Sequence, residues 1–137
     1  MEPIEFLDLI PDYQDREREE PAILIDGKYS ILVLKRDENN VCCFYSGSGC
    51  RIYESRPMLC RTYPFKIKTR DTELSELLSR DCPKKWIPLG EEKEQYLADC
   101  KEYLEQLEEY KKLAKEWNEL GGGSFEDFLE FIQREKE

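Results

Sequence analysis

The chain has 137 residues with a formal net charge of -10, 39% hydrophobic and 38% charged residues, six cysteines and no histidine. That length suits one domain with a real core, and the negative charge opposes general binding to nucleic-acid phosphate, which recruits clustered Lys and Arg. The lack of histidine excludes haem held through imidazole, Ser-His and Cys-His nucleophile pairs, and every zinc site that needs an imidazole ligand.

The opening stretch, MEPIEFLDLIPDYQDRE, is acidic and carries no signal-peptide pattern. No apolar run in the chain approaches the roughly 20 residues of a bilayer span. Both features predict a cytoplasmic protein with no membrane span of its own. Within residues 3 to 10, Ile4, Leu7 and Ile10 fall on one stripe behind Pro3, which predicts a short helix ending before Pro11. The polar stretch DYQDREREEP then reads as a connecting loop. Residues 22 to 35, AILIDGKYSILVLK, are rich in Ile, Leu and Val and broken by Asp26-Gly27, the signature of an antiparallel hairpin. A second turn over residues 37 to 40 leads to another extended run at 41 to 45. SGSG at 46 to 49 then turns the chain into Cys50-Arg51-Ile52-Tyr53, so a small meander enters the cysteine region. Pro57 suits the first turn of a helix over residues 56 to 63, which puts Cys60 on that helix. Residues 65 to 69 alternate apolar and basic, as in a strand, and 73 to 79 read as a helical turn before the Asp81-Cys82-Pro83 corner.

Residues 91 to 119 form the longest element, with Leu97, Cys100, Leu104, Leu107, Tyr110, Leu113 or Ala114, Trp117 and Leu120 recurring at three- and four-residue steps. Gly121 to Gly123 end this helix. Ser124 followed by Asp127 caps a final one, with Phe125, Phe128, Leu129 and Ile132 on its inner face. The expected class is α+β: a small antiparallel meander and short helices around a cysteine-ligated metal centre, followed by a long C-terminal helical hairpin. Residues 1–90 are expected to form the metal-binding domain and 91–137 the hairpin packed on it, in a single compact unit.

Six cysteines in a chain expected to stay in a reducing compartment point to metal binding rather than to a disulfide framework. Cys42, Cys50, Cys60 and Cys82 are separated by seven, nine and twenty-one residues and make a candidate four-thiolate site. Zinc sites usually begin with a close C-x2-C pair, which is missing here, whereas scattered cysteines and a Cys-Pro corner suit a larger cluster at least as well. Cys43 would face away from Cys42 along a strand, as a core residue or a substitute ligand. Cys100 lies on the apolar stripe of the long helix and reads as buried. Residues 51 to 85 carry nine Lys or Arg against five Asp or Glu, a local +4 that leaves -14 for the rest. Arg56 and Arg61 in this basic segment would stabilise a negatively charged thiolate centre or simply lie on the surface.

The stretch CCFYSGSGCRIYESRPMLCRTYPF, followed by Cys82, resembles the YkgJ-type cysteine-cluster family of zinc- or iron-chelating domains. The matching positions are Cys42 with Phe44, Cys50 with Ile52-Tyr53, Arg56-Pro57, Cys60-Arg61, and Tyr63-Pro64-Phe65. Glu5-Phe6-Leu7 looks like the helix that precedes this signature. Family members also carry a C-x2-C type segment ahead of that helix, and this sequence contains none. The resemblance implies a metal centre held by Cys42, Cys50, Cys60 and Cys82. Arg56, Arg61, Tyr53, Pro64 and Phe65 would surround it, with Phe44 and Tyr63 in an apolar shell that limits solvent access.

Catalysis has little support, because there is no nucleotide loop, glycine-rich cofactor turn or histidine base. The expected function is a metal-binding module, with an iron-sulfur cluster of the 4Fe-4S type, that reports oxygen or redox state to a protein partner or larger enzyme complex. The alternatives are a zinc-stapled interaction domain and an accessory component of a methyl-transferring, protein-modifying enzyme.

Overall fold

Asp26 and Gly27 both adopt left-handed backbone angles, φ 49° and 80°, which a two-residue turn requires if it is to match the twist of its strands. They join β2 (Ile23–Ile25) to β3 (Lys28–Leu34), with Ile25 opposite Lys28. The computed structural model describes residues 2–12, 20–63, 65–66, 78–79 and 88–135. The architecture is α+β, with small antiparallel sheets followed by a long helix and a shorter one.

The helix expected over residues 3 to 10 is replaced by a 3-10 turn at Pro3–Glu5 and a strand, β1 (Leu7–Pro11). The helix that the family resemblance implied at Glu5-Phe6-Leu7 is overturned with it. Both readings weighed only local spacing, but β1 pairs along its length with β3, aligning Leu7 with Leu34 and Leu9 with Leu32. That alternation packs Leu7 and Leu9 on the core, while Ile4, in the 3-10 turn ahead of the strand, is exposed. The sheet order is β1-β3-β2, so the expected meander is instead a hairpin with an earlier strand added to its outer side.

Downstream, Asp37 accepts the backbone N–H groups of Asn39 and Val41 through Oδ1 at 2.8 and 3.0 Å, forming the expected turn. Two short strands, β4 (Tyr45–Ser46) and β5 (Gly49–Cys50), then pair around the serine-glycine turn. A 3-10 turn at Tyr53–Ser55 leads to α1 (Met58–Thr62), which carries Cys60 as expected. β6 (Phe65–Lys66) pairs with β7 (Leu78–Ser79), so the helical turn expected over 73 to 79 gives way to a strand at its last two residues. The rest of that stretch lies outside the described residues. α2 (Gly90–Glu119) and α3 (Phe125–Glu135) follow the apolar spacing, and Ser124 Oγ accepts the Asp127 N–H at 3.1 Å to cap α3.

The chain divides into two compact units, Met1–Arg51 with Glu109–Glu137, and Ile52–Glu108. In the first, Ile23, Ile25, Ala114, Trp117, Phe128 and Leu129 form a buried core. The Trp117 ring meets Phe128 edge-on at 5.2 Å. Burying an aromatic or branched side chain of this kind contributes about 1.5–3 kcal/mol.

The far side of β2 is closed by the last turn of α2 and the glycines that follow it. Trp117 Nε1 donates to Leu24 O at 2.9 Å, and the Asn118 side chain accepts from Leu24 N at 2.8 Å and donates to Ala22 O at 3.0 Å. Gly123 continues the pairing, its carbonyl accepting the Asp26 N–H at 2.9 Å. Gly122 must be glycine here, since its φ is +72° and a Cβ would lie 2.3 Å from Leu24 O. In the second unit, Leu97 and Cys100 are buried with Leu104 packed against them, and the Phe65 ring meets Tyr96 edge-on at 4.8 Å.

Candidate metal centre

The first unit carries three of the cysteines, all held by short-range backbone bonds. Cys42 bridges to Arg36, and the Cys43 N–H donates to Lys35 O at 2.9 Å. A strand through residues 41 to 45 would have turned Cys43 away from Cys42. Instead the chain bends directly after the bridge, where the Tyr45 N–H donates to Cys42 O at 3.0 Å. Both side chains are half-buried. Burial, followed by the neighbouring Cys42 thiol, pushes the Cys43 thiol above its ordinary range, with Arg51 pulling weakly the other way.

Arg51 is the anchor of this segment. Its backbone N–H donates to Phe44 O at 2.8 Å, and its guanidinium donates to Cys43 O. Those bonds tie the doublet to the β4–β5 hairpin, in which Cys50 stands opposite Tyr45 and is exposed. Phe44 is buried and packs against Phe6, with ring centroids 5.6 Å apart.

In the second unit, Cys60 is exposed on α1. The two arginines that flank it in sequence act on the backbone. Arg61 Nε donates to Arg56 O at 2.9 Å and its Nη2 to Glu54 O at 2.8 Å. Arg56 Nε donates to Tyr53 O at 3.0 Å, and its guanidinium lies 3.8 Å over the Tyr53 ring. Together they fix the turn that enters α1. Tyr53 and Tyr63 are more than half exposed, whereas Phe65 is 2% exposed. Cys100 is buried as expected, with its Sγ 3.9 Å from Phe65 O.

Cys82 and Pro64 lie outside the described residues. Among the described residues, no group of three or more Cys, Asp or Glu side chains lies close enough to hold a metal ion. Cys42 and Cys43 are neighbours in the chain at the bend that follows the bridge to Arg36. The Arg61 clasp and the bend after Cys42 were not anticipated, and the sequence signal for the first was a pair of arginines, Arg56 and Arg61, bracketing the segment from Pro57 to Cys60.

The donor set fits a thiophilic metal. The exposed and half-buried cysteines offer sulfur, there is no imidazole to compete, and arginine side chains lie within the same segments. Sulfur ligands favour zinc and iron-sulfur centres over magnesium or calcium, which take oxygen. Residues 9–83 match the CxxCxxCC family, described as a putative zinc- or iron-chelating domain. No curated protein and no solved structure matches the chain. No helix among the described residues is long and apolar enough to cross a membrane.

Proposed function

Because the chain belongs to the CxxCxxCC family of zinc- or iron-chelating domains, we propose that it holds an iron-sulfur centre through Cys42, Cys50, Cys60 and Cys82 and serves as a redox-responsive module on a partner protein. The observation that carries this reading is the donor set: cysteine without histidine, and no C-x2-C pair to deliver two sulfurs to one tetrahedral ion. When bound, such a centre supplies one-electron redox chemistry and sensitivity to oxidants.

The chain's own residues supply the frame. The bond from Arg51 to the Cys43 carbonyl holds the doublet against the hairpin that bears Cys50. Arg61 holds the carbonyls of Glu54 and Arg56, and so fixes the start of the helix that bears Cys60. Cys50 and Cys60 both stand at exposed positions, where incoming iron would meet the segment. A centre that can be reached in this way can also answer to dissolved oxidants.

Anaerobic purification tests the metal. Bound iron with sulfide and an absorbance band at about 400 nm is the expected result, whereas a colourless protein with stoichiometric zinc would replace the cluster by a structural zinc. Pull-downs from reduced and oxidised extracts test the module. The expected result is a partner retained in one state only, and equal retention in both would exclude redox control.

A further inference from the structure

β1 stands at the edge of its sheet, and among the described residues no strand pairs with its outer side. The Lys35 N–H donates to Phe6 O at 2.8 Å and the Asp12 N–H to Tyr29 O at 3.3 Å. In an antiparallel ladder of this register, Phe6, Asp8, Ile10 and Asp12 therefore turn their backbone groups to β3. Leu7, Leu9 and Pro11 present theirs to the open side. A bare edge of this kind is a template for a further strand, and a second copy of the chain is the partner always at hand. Two β1 strands laid antiparallel about Leu9 would set Leu9 against Leu9 and Leu7 against Pro11, joining outward groups to outward groups.

Two of those three positions withhold the donor that such pairing needs. Pro11 has no N–H. The Leu9 N–H donates to Asp8 Oδ1 at 2.8 Å, a bond made by the exposed side chain of the preceding residue. We propose that this bond is an autoinhibitory contact: by holding the Leu9 N–H, with Pro11 beside it, Asp8 keeps the outer side of β1 closed to β1 of a second copy.

Strand propensity does not account for either residue, since Asp and Pro are both depleted in strands and Pro is confined to edges and strand ends. Without Asp8 the run from Phe6 to Ile10 would be apolar throughout, and a short apolar edge strand is a ready site for pairing between copies. Glu5 and Asp12 flank the run and add like charge between copies, but salt screens that repulsion and leaves the Asp8 bond in place. The closure is independent of the metal centre, whose cysteines lie elsewhere in the chain.

The test compares the full wild-type chain with Asp8→Ala, Asp8→Asn and the combined Asp8→Ala, Pro11→Thr chain, in reductant and in screening salt. Sedimentation and amide exchange are followed as protein concentration rises. In the wild type, exchange at Leu7 and Leu9 should not depend on concentration. The combined variant should double its mass as concentration rises, with exchange at Leu7 and Leu9 slowing in step, and Asp8→Ala alone should do the same more weakly. Asp8→Asn keeps an oxygen for the Leu9 N–H and should match the wild type. Protection at Ile31, in the strand behind, checks that the sheet is intact, and Asp8→Ala, a change at an exposed position, carries the test on its own if the combined variant fails to fold. Leu9 exchange independent of concentration in Asp8→Ala, concentration-dependent slowing already in the wild type, or equal pairing by Asp8→Asn and Asp8→Ala would overturn the proposal.

Discussion

The sheet-and-helix core of the first unit and the cysteine-bearing stretch from Cys42 to Thr62 are built on different physics. In the core, Ile23, Trp117, Phe128 and Leu129 are buried, and backbone groups at the far side of β2 are satisfied by Asn118 and Trp117. In the cysteine stretch the strands are two residues long, the helix is five, and Cys50 and Cys60 face solvent. There the chain is held by arginines that reach back to carbonyls. The lesson is a division of labour: apolar burial carries the fold, while guanidinium-to-carbonyl bonds pre-shape a segment in which Cys50 and Cys60 stand at exposed positions.

Phe128→Ala should have the largest effect, because the ring is wholly buried against Trp117. A loss of about 3–5 kcal/mol is expected in denaturant unfolding. A loss below about 1 kcal/mol would erase the contrast between the two regions. Gly122→Ala comes next, since the added methyl meets Leu24 O at a left-handed backbone position. It should lower the unfolding midpoint by more than about 1 kcal/mol equivalent, and Asn118→Ala by about 1–3 kcal/mol through the unpaired Leu24 N–H and Ala22 carbonyl. On the other side of the contrast, Arg61→Gln should leave the unfolding midpoint within about 1 kcal/mol of wild type. It should nevertheless quicken amide exchange at Cys60 and alkylation of its thiol, because two carbonyl anchors are lost. Unchanged exchange and alkylation would remove Arg61 from the frame.

The smallest effect concerns Tyr110, whose hydroxyl is buried without a hydrogen-bond partner among the described residues. Burial, and then the charge of Glu20, push this phenol far above its usual range. The folded chain therefore keeps the proton while the unfolded chain releases it from about pH 10 upward. Stability is at its full value below that pH and falls above it. Tyr110→Phe should flatten that alkaline decline and be neutral or slightly stabilising at pH 7. A decline of unchanged slope in the variant would assign it to other groups, with Tyr96, raised mainly by burial, the next candidate.

What could be read from residues alone follows the same division. Asp26-Gly27, the apolar steps of α2 and the Ser124 cap are local signals, and each element formed where it was expected. β1 was not legible, because Ile4, Leu7 and Ile10 suit a helix and only the distant β3 selects a strand. The same holds for Cys43: its backbone N–H and carbonyl are taken by Lys35 and Arg51, pairings that no local spacing encodes. The cysteine order pointed to the family, and the match over residues 9–83 bears that out. Which sulfurs meet depends on contacts between distant segments, and these leave no periodic trace in the sequence.

The most direct test of the central claim is metal content after anaerobic purification of the wild type, Cys60→Ser and Cys100→Ala. Iron with sulfide in the wild type, its loss in Cys60→Ser and its retention in Cys100→Ala is the expected result. Equal metal in all three chains, or none in the wild type, would contradict it.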